Sequence, residues 1–334
     1  MISNNQSILV IGGAGYIGSH IVLDLCDQGF DVTVFDNLST GHKINIDSRA
    51  NFIEGDILNP DDLHSVFQSL FTTVFHFAAL KAAGESMLEP EKYATANITG
   101  TINILNQMVE NGVKNIIFSS TAAVYGMPEY LPVDENHPLN PVNFYGFTKL
   151  EIERLLHWYS KLKGIRFAAL RYFNAAGYDP KRRIMGLERN PANLLPIIME
   201  TAVGIRKEMA IFGDNYDTLD GTGIRDYIHV SDLAKAHLKA MDYLQQKKDN
   251  LILNLATGEG FSVLDVINNA KKVTDADVPF KVVPRRPGDP AKLVAVSKLA
   301  KVKINWESEY SDIETILKSM WEIYLKHKAS PIDL

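Results

Sequence analysis

Short apolar runs alternate with amphipathic stretches along the first half of the chain. The runs are nearly continuous in apolar residues, as in parallel strands that are buried on both faces. The stretches between them repeat apolar residues at helical spacing. This pattern predicts strands at 7–11, 31–35, 51–54, 73–77, 114–119 and 166–171, and helices at 17–28, 61–70, 93–110 and 144–162.

Strands that alternate with helices are typical of a doubly wound α/β fold, in which helices cover both faces of a parallel sheet. From about residue 177 the rhythm changes, because prolines interrupt shorter elements. We therefore predict a Rossmann-type nucleotide-binding domain over residues 1–177 and a second, smaller, substrate-binding α/β lobe over residues 178–334. The boundary is approximate, since elements of the two lobes can interleave.

The composition favours a globular protein and excludes several classes of partner. The 334 residues are 46% hydrophobic and 22% charged, with a net charge of −6, which gives no footprint for nucleic acid or an anionic membrane. No apolar run approaches the ~20 residues of a membrane span, and the first residues lack the features of a secretory leader. The single cysteine, Cys26, excludes an intrachain disulfide. We predict a soluble cytoplasmic protein without a metal site.

A glycine-rich turn joins the first predicted strand to the first predicted helix. Its glycines, Gly12, Gly15 and Gly18, have the spacing that allows a tight turn, close approach of a pyrophosphate and close packing of helix on strand. The free N–H groups and the dipole at the start of the helix favour an anion there. We expect Tyr16 and Ile17, within the same turn, to contact the bound dinucleotide.

A carboxylate at the end of the second strand predicts which dinucleotide binds. Asp36 lies 18 residues after Gly18, where it can accept hydrogen bonds from both ribose hydroxyls of NAD and repel the 2′-phosphate of NADP. Asp56 and Ile57 follow the third strand and are placed to meet the adenine, although a simple turn after Gly55 explains them nearly as well. NAD is therefore the predicted cofactor.

Three polar side chains indicate the chemistry. Tyr145 and Lys149 lie four residues apart at the start of a predicted helix, so that both project from one face. A cation one turn away, together with a positive nicotinamide ring, would favour the phenolate of Tyr145, whose pKa is otherwise about 10. Thr121 closes the fifth strand, at the edge where doubly wound folds bind ligands. Its hydroxyl can bond the same substrate oxygen that Tyr145 deprotonates.

Taken together, the motifs resemble those of the extended short-chain dehydrogenase/reductase family. They occur in order at residues 12–18 (GGAGYIG), 36–38 (DNL), 76–81 (HFAALK), 145–149 (YxxxK) and 171–174 (RYFN). With residues 220–230 (DGTGIRDYIHV) and 285–289 (RRPGD) added, the chain is similar to the UDP-galactose 4-epimerases of that family. The resemblance extends from about residue 8 to residue 321.

That resemblance implies a reaction. NAD stays tightly bound while Tyr145 removes the proton of the sugar 4-hydroxyl and C4 passes hydride to the nicotinamide. The 4-keto sugar then presents its other face, and hydride and proton return. The net result interconverts UDP-galactose and UDP-glucose. The resemblance also implies a homodimer that forms through the helices at 93–110 and 144–162.

The resemblance further implies the binding residues. Around the cofactor these are Asn37, Phe77, Ala78, Ala79, Lys81, Asn97, Ser119, Tyr172 and Phe173, with Tyr145 and Lys149. Around the UDP-sugar they are Asn174, Asn193, Leu194, Ala210, Phe212, Arg225, Arg286 and Asp289, with Thr121 and Tyr145. Loop arginines beside glycines suit phosphate contacts, although solvated arginines and a solvated Lys81 are the ordinary alternative. Asn97 could equally cap a helix, and Phe212 could be a core residue.

Two features of the chain bear on the choice of reaction. Most members of the family have three serines at 119–121, so Thr121 keeps the hydroxyl and adds a methyl group. Related dehydratases and decarboxylases place acidic residues directly after that position. Ala122 and Ala123 stand there in this chain, and methyl groups cannot shuttle protons, which favours epimerisation over dehydration.

The identity of the sugar stays open at one position. Members of the family control acceptance of N-acetylated sugars by a residue shortly after the RRPGD loop. Either Lys292 or Leu293 can fill that position. UDP-N-acetylhexosamines are therefore alternative substrates. UDP-uronic acids are a further alternative, and Lys81, which follows residues 76–80 (HFAAL), favours the galactose type over both.

Overall fold

The computed structural model describes residues 6–188, 191–286 and 288–329. Its strands are β1 (Ser7–Ile11), β2 (Asp31–Asp36), β3 (Asn51–Glu54), β4 (Thr73–His76), β5 (Asn115–Thr121), β6 (Arg166–Tyr172), β7 (Asn174–Ala176), β8 (Met209–Phe212), β9 (Ile224–Arg225), β10 (Tyr227–His229), β11 (Leu251–Leu255), β12 (Phe261–Ser262), β13 (Phe280–Val283) and β14 (Lys292–Leu293). Seven of them form a parallel sheet in the order β3-β2-β1-β4-β5-β6-β11. The predicted doubly wound fold is confirmed by this order, which reverses direction at β1.

The helices are α1 (Tyr16–Asp27), α2 (Pro60–Val66), α3 (Ala83–Ser86), α4 (Pro90–Tyr93), α5 (Gly100–Glu110), α6 (Phe144–Lys163), α7 (Leu194–Val203), α8 (Val230–Lys247), α9 (Val263–Thr274), α10 (Lys298–Ile304) and α11 (Ile313–Ala329). Apolar faces of α1 and α8 bury one side of the sheet, and those of α2, α5 and α6 bury the other. The strands are therefore covered on both faces, which explains their continuous apolar sequences, except for the edge strand β3, whose residues are mostly exposed.

The second half of the chain builds a separate core and also returns to the large sheet. Helices α7, α9 and α11 pack together around buried residues that include Ile198, Ile267 and Leu317. In contrast, α8 packs on α1, and β11 pairs with β6 at the edge of the parallel sheet. The chain thus passes between the two cores more than once.

Three of the predicted elements differ from the structure by two residues or more at one end. The helix expected at 93–110 begins at Pro90 and contains a π-helical segment, Ala94–Thr99. Strand β5 continues to Thr121, because its ladder with β6 pairs Thr121 with Tyr172. Helix α2 ends at Val66, since the next backbone N–H groups make short-range bonds that tighten the chain into a turn.

None of the helices in the described ranges is long and apolar enough to cross a membrane. The cytoplasmic location stays a prediction.

Candidate active site

The glycine-rich turn after β1 lines a cleft at the carboxyl edge of the sheet. Gly12 has a φ of 80°, and a Cβ atom there would lie 2.5 Å from the backbone nitrogen of Ala78. A Cβ atom at Gly18 would lie 2.9 Å from the Cα atom of Gly13. Gly15 is the N-cap of α1 and has no side chain to cover the first N–H groups. The turn has the shape and polarity that a pyrophosphate requires.

Asp36 ends β2 at one end of the cleft. Its carboxylate accepts hydrogen bonds from the backbone nitrogens of Ala14 at 2.9 Å and Leu38 at 2.8 Å. Burial raises the pKa of Asp36, and these two bonds lower it. Each carboxylate oxygen retains a further lone pair that a ribose hydroxyl could use. Nearby, Asn37 donates to the Asp56 carboxylate at 3.0 Å.

The cleft continues from Asp36 to Tyr145. The Asp36 end is lined by Asp36, Asn37, Asp56, Ile57 and Ala78 among others. The Tyr145 end is lined by residues that include Tyr16, Ile17, Gly18, Lys81, Ser119, Tyr145, Lys149 and Tyr172. Both ends share Gly12, Gly15, Phe77 and Ala79. The structure therefore brings most of the predicted cofactor residues to one surface, whose elongated form suits a dinucleotide.

The three residues predicted for catalysis meet where β5 faces the start of α6. Asn143 caps α6, and the Tyr145 backbone nitrogen donates to Ser86 Oγ at 3.0 Å. The side chain of Thr121 hydrogen-bonds that of Tyr145. Lys149 Nζ donates to the Ser119 carbonyl oxygen at 2.9 Å and lies 6.0 Å from the centre of the Tyr145 ring. The Tyr–Lys–Thr arrangement predicted from the sequence is thus present as a group.

Among the protein's own groups, burial outweighs the lowering of the Tyr145 pKa that is expected with Lys149 and a positive nicotinamide ring together. Burial raises the pKa of Tyr145 to about 12, although the hydrogen bond with Thr121 lowers it. Burial also lowers the pKa of Lys149 to about 7, while the charge of Glu153 raises it. The physical reason is desolvation, which disfavours phenolate and ammonium alike. A positive ligand ring beside Tyr145 would act in the opposite direction.

Two predicted cofactor residues lie beside the cleft wall and support it. Asn97 is buried within the π-helical segment, so it does not cap a helix. Its amide bonds the backbone nitrogen and oxygen of Leu80, at 2.8 and 3.0 Å, and Thr148 Oγ1 at 3.1 Å. Asn97 therefore connects the loop at Leu80 to α6. Phe173 packs against a small cluster that contains Ala122.

Two further predicted residues connect walls of the cleft. Ser119 Oγ and the Tyr172 hydroxyl hydrogen-bond each other across β5 and β6. Lys81 forms an ion pair with Glu188 from the opposite wall. Lys81 is therefore a constrained cation at the mouth of the cleft.

All eight residues that the resemblance implies for the UDP group line one further cavity. They are Asn174, Asn193, Leu194, Ala210, Phe212, Arg225, Arg286 and Asp289. This cavity joins the Tyr145 end of the cleft through Ala192 and Asn193. Arg225 forms an ion pair with Asp289, and the Arg286 guanidinium lies 3.8 Å from the centre of the Phe212 ring. Phe212 is half-buried at the cavity wall and is not a core residue.

The two residues that could control sugar selectivity, Lys292 and Leu293, lie in different environments. Lys292 is exposed, whereas Leu293 is half-buried and packs against the cluster that contains Ala122 and Tyr125. Leu293 therefore packs near the end of β5, where Ala122 follows Thr121.

Several residues of the site escaped the sequence analysis. Ser86 receives the backbone of Tyr145, Glu85 lines the cleft and Tyr216 lines the arginine cavity. The Tyr216 ring stacks under Arg285, whose guanidinium lies 4.0 Å from the ring centre. Local sequence carries no signal for these residues, because each role depends on a contact with a distant segment.

A dinucleotide cleft that ends at a Tyr–Lys–Thr group and opens into an arginine-lined cavity defines a nucleotide-dependent enzyme of the short-chain dehydrogenase/reductase class. Comparison with known proteins gives the particular family. The family model described as "NAD dependent epimerase/dehydratase family" matches residues 8–256. The chain belongs to this family, and the predicted NAD cofactor is confirmed.

Individual relatives resemble the chain over nearly its whole length. The UDP-glucose 4-epimerase of Halalkalibacterium halodurans is 46% identical over 324 residues, which cover 96% of each protein. The crystal structure of UDP-glucose 4-epimerase from Brucella ovis in complex with NAD is 40% identical, with a TM-score of 0.93 and coverage of 96% of this chain and 98% of that one. The UDP-glucose 4-epimerase from Bifidobacterium longum in complex with NAD+ and UDP is 36% identical, with a TM-score of 0.91 and the same coverage. The resemblance stated from the motifs is therefore confirmed.

Proposed function

We propose that this protein interconverts UDP-galactose and UDP-glucose with bound NAD, as a step of galactose metabolism. The observation that carries this proposal is the continuity of the site, from Asp36 past Tyr145 to Arg225 and Arg286. A UDP-sugar whose phosphates meet the arginines would have its sugar beside Tyr145. The relatives named UDP-glucose 4-epimerase support the choice of substrate.

Each residue of the site has a separate role in the proposed reaction. Tyr145 takes the proton of the sugar 4-hydroxyl and later returns it, and Thr121 orients the Tyr145 hydroxyl through their hydrogen bond. Lys149, held by the Ser119 carbonyl, supplies positive charge near the phenolate. Bound NAD supplies the reversible oxidation of C4, with hydride leaving the sugar and returning to it. Arg225 and Arg286 hold the UDP group while the 4-keto sugar turns to present its other face.

Dehydration is the competing reaction, and the cleft favours epimerisation. Loss of water across C5 and C6 needs an acid and a base in addition to Tyr145. Ala122 and Ala123 follow Thr121 in a short 3-10 turn. Two carboxylates line the described part of the Tyr145 end, and both are engaged: Glu85 with Lys92 and Glu188 with Lys81.

The test uses purified protein, UDP-galactose and no added cofactor. We expect UDP-glucose to accumulate to an equilibrium mixture, because the NAD is carried by the protein and is not consumed. Absence of UDP-glucose would contradict the proposal. A 4-keto-6-deoxy product would show that the protein is a dehydratase instead.

We also propose a homodimer that forms through α5 and α6. The outer face of α6 exposes Phe147, Trp158 and Leu162 at 40%, 58% and 65% of their surfaces, and exposed apolar patches of this kind favour association. Light scattering after gel filtration should give twice the chain mass. Trp158→Glu should shift the protein toward the monomer, and a monomeric parent protein would contradict this proposal.

A further inference from the structure

A buried ion pair lies directly beneath the reactive ends of β5 and β6. The Glu153 carboxylate of α6 accepts hydrogen bonds from Arg171 Nε at 2.9 Å and Nη2 at 2.5 Å. Neither side chain is more than 3% exposed. Ser120 Oγ also donates to Glu153, at 2.5 Å. Ser120 pairs with Arg171 in the sheet, one residue before Thr121 pairs with Tyr172.

Stability alone does not account for such a pair. Desolvation of two ions is costly, and replacement of a buried ion pair by apolar residues is often neutral or stabilising. The position of Glu153 indicates another role, because it lies one helical turn after Lys149 on the same face of α6. Lys149 is only 2% exposed and its ammonium donates to the Ser119 carbonyl. A buried ammonium needs a nearby negative charge to keep its proton.

The other titratable groups packed around Lys149 do not supply that charge. They come from α6, β4 and β6 and are Tyr145, His76 and Tyr172. Burial lowers the pKa of His76 to about 3 and raises the pKa of Tyr172, so that both are neutral near pH 7. Tyr145 is uncharged whenever it holds the proton that it takes from the sugar, so it does not supply a constant negative charge. Arg171 is a cation and cannot supply it, and its ion pair with Glu153 partly offsets the negative charge that reaches Lys149.

We propose that Glu153 is a positioning residue that keeps Lys149 in its ammonium form, and that Arg171 fixes the Glu153 carboxylate and, through Ser120, the strand end that carries Thr121. The inference deepens the proposed function, on which its kinetic part rests. Neither residue touches the reacting atoms. Both act through Lys149 and Thr121.

The direct test is the titration of Lys149 in the protein with its retained NAD, followed by NMR of lysine labelled with carbon-13 at Cε. Lys149→Met identifies the signal. Glu153→Gln should move the midpoint to lower pH by about one unit, because loss of the negative charge disfavours the ammonium. The matched control is Glu151→Gln, which removes a carboxylate bonded to Arg154 on the outer face of the same helix and should leave the midpoint in place.

Kinetics supply a second measurement. In Glu153→Gln the decline of kcat at alkaline pH should move to lower pH with the Lys149 midpoint, while KM changes little. Because that variant leaves Arg171 without its partner, Glu153→Gln/Arg171→Met is measured beside it. We expect the same direction of shift by a smaller amount, since the repulsion from Arg171 is lost as well.

A parental Lys149 midpoint in these variants overturns the inference. The NMR titration needs no turnover, so the two proposals fail separately. An inactive parent protein whose Lys149 shifts in Glu153→Gln refutes the proposed function alone. An active parent protein whose Lys149 does not shift refutes the positioning role alone.

Discussion

The dinucleotide cleft and the arginine-lined cavity that joins its Tyr145 end are built by different means. Along the dinucleotide cleft part of the wall is backbone, formed by the turn of Gly12, Gly15 and Gly18 within one strand–turn–helix unit. At the UDP end the wall is made of side chains from separate segments, among them Asn174, Phe212, Arg225 and Arg286. A wall of backbone excludes any added atom, whereas a wall of side chains contributes its contacts one by one. A single added atom in the backbone wall should therefore impair ligand binding strongly, whereas substitutions in the side-chain wall should weaken binding step by step.

The ends also differ in charge. Asp36 and Asp56 give the first end carboxylates that suit hydroxyls and an amino group. Arg225 and Arg286 give the other end the positive charge that a diphosphate needs, in a chain whose net charge is −6. Arg225 is already paired with Asp289, so a ligand there meets a preorganised guanidinium. The carboxylates therefore suit the adenosine part of NAD, and the arginines suit the diphosphate of a UDP-sugar.

The largest effect is expected at Tyr145, where the two ends meet. Tyr145→Phe removes the hydroxyl that moves the proton, and kcat should fall on the order of a thousandfold. Bound NAD and affinity for UDP should stay at parental values, because neither end is altered. Tyr159→Phe is the matched control, since its hydroxyl bonds Asn106 on the outside of the same helix. A parental kcat in Tyr145→Phe would exclude Tyr145 as the base.

The next effect is expected at the glycine turn, where the wall of the cleft is backbone. In Gly18→Ala the added methyl group would meet the Gly12 carbonyl and Gly13 Cα, the latter at 2.9 Å. Overpacking of this kind costs ~1–3 kcal/mol, so NAD retention should drop by up to about a hundredfold. Gly84→Ala is the control, because a Cβ there meets nothing within 4 Å. NAD content is measured after denaturation, and equal content in both variants would contradict the steric argument.

The same contrast explains how much could be predicted from the sequence. Strands β1 to β6 and the glycine turn could be predicted, because their signals lie in adjacent residues. The spacing of Tyr145 and Lys149 could be interpreted because a helix brings residues four apart to one face. The return of β11 to the sheet could not be predicted, since pairing with β6 joins Leu253 to Leu170 and no local pattern encodes that partner.

Within the site, local sequence was least informative about long-range contacts. Ser86 bonds the backbone of Tyr145 across 59 positions, and nothing near Ser86 marks it for that role. The loop context of Arg225 and Arg286 beside glycines indicated a phosphate site only weakly, because a loop arginine is usually solvated. The raised pKa of Tyr145 among the protein's own groups could not be predicted, because the depth of burial is a property of the folded cleft.

A graded effect is expected in the end built of side chains. Arg286→Met removes a guanidinium from the cavity wall. Loss of a charge-assisted hydrogen bond costs about 1.5–3 kcal/mol, so KM for the UDP-sugar should rise roughly 10- to 100-fold while NAD content stays parental. Arg285→Met is the neighbouring control, since Arg285 stacks on Tyr216 and donates to Asn215 at 2.6 Å. Equal changes in KM for both variants would mean that only the overall positive charge matters.

The smallest effect is expected at Phe212, over whose ring Arg286 lies. Phe212→Leu should raise KM about two- to fivefold, because an exposed cation–π contact contributes ~0.5–1 kcal/mol. Phe280→Leu on the paired strand β13 is the control. If Phe212 acts by holding the guanidinium in place, the double variant Phe212→Leu/Arg286→Met should be no worse than Arg286→Met alone. Additive effects would instead mean that the ring contacts the ligand itself, and the two side chains would then be independent parts of the wall.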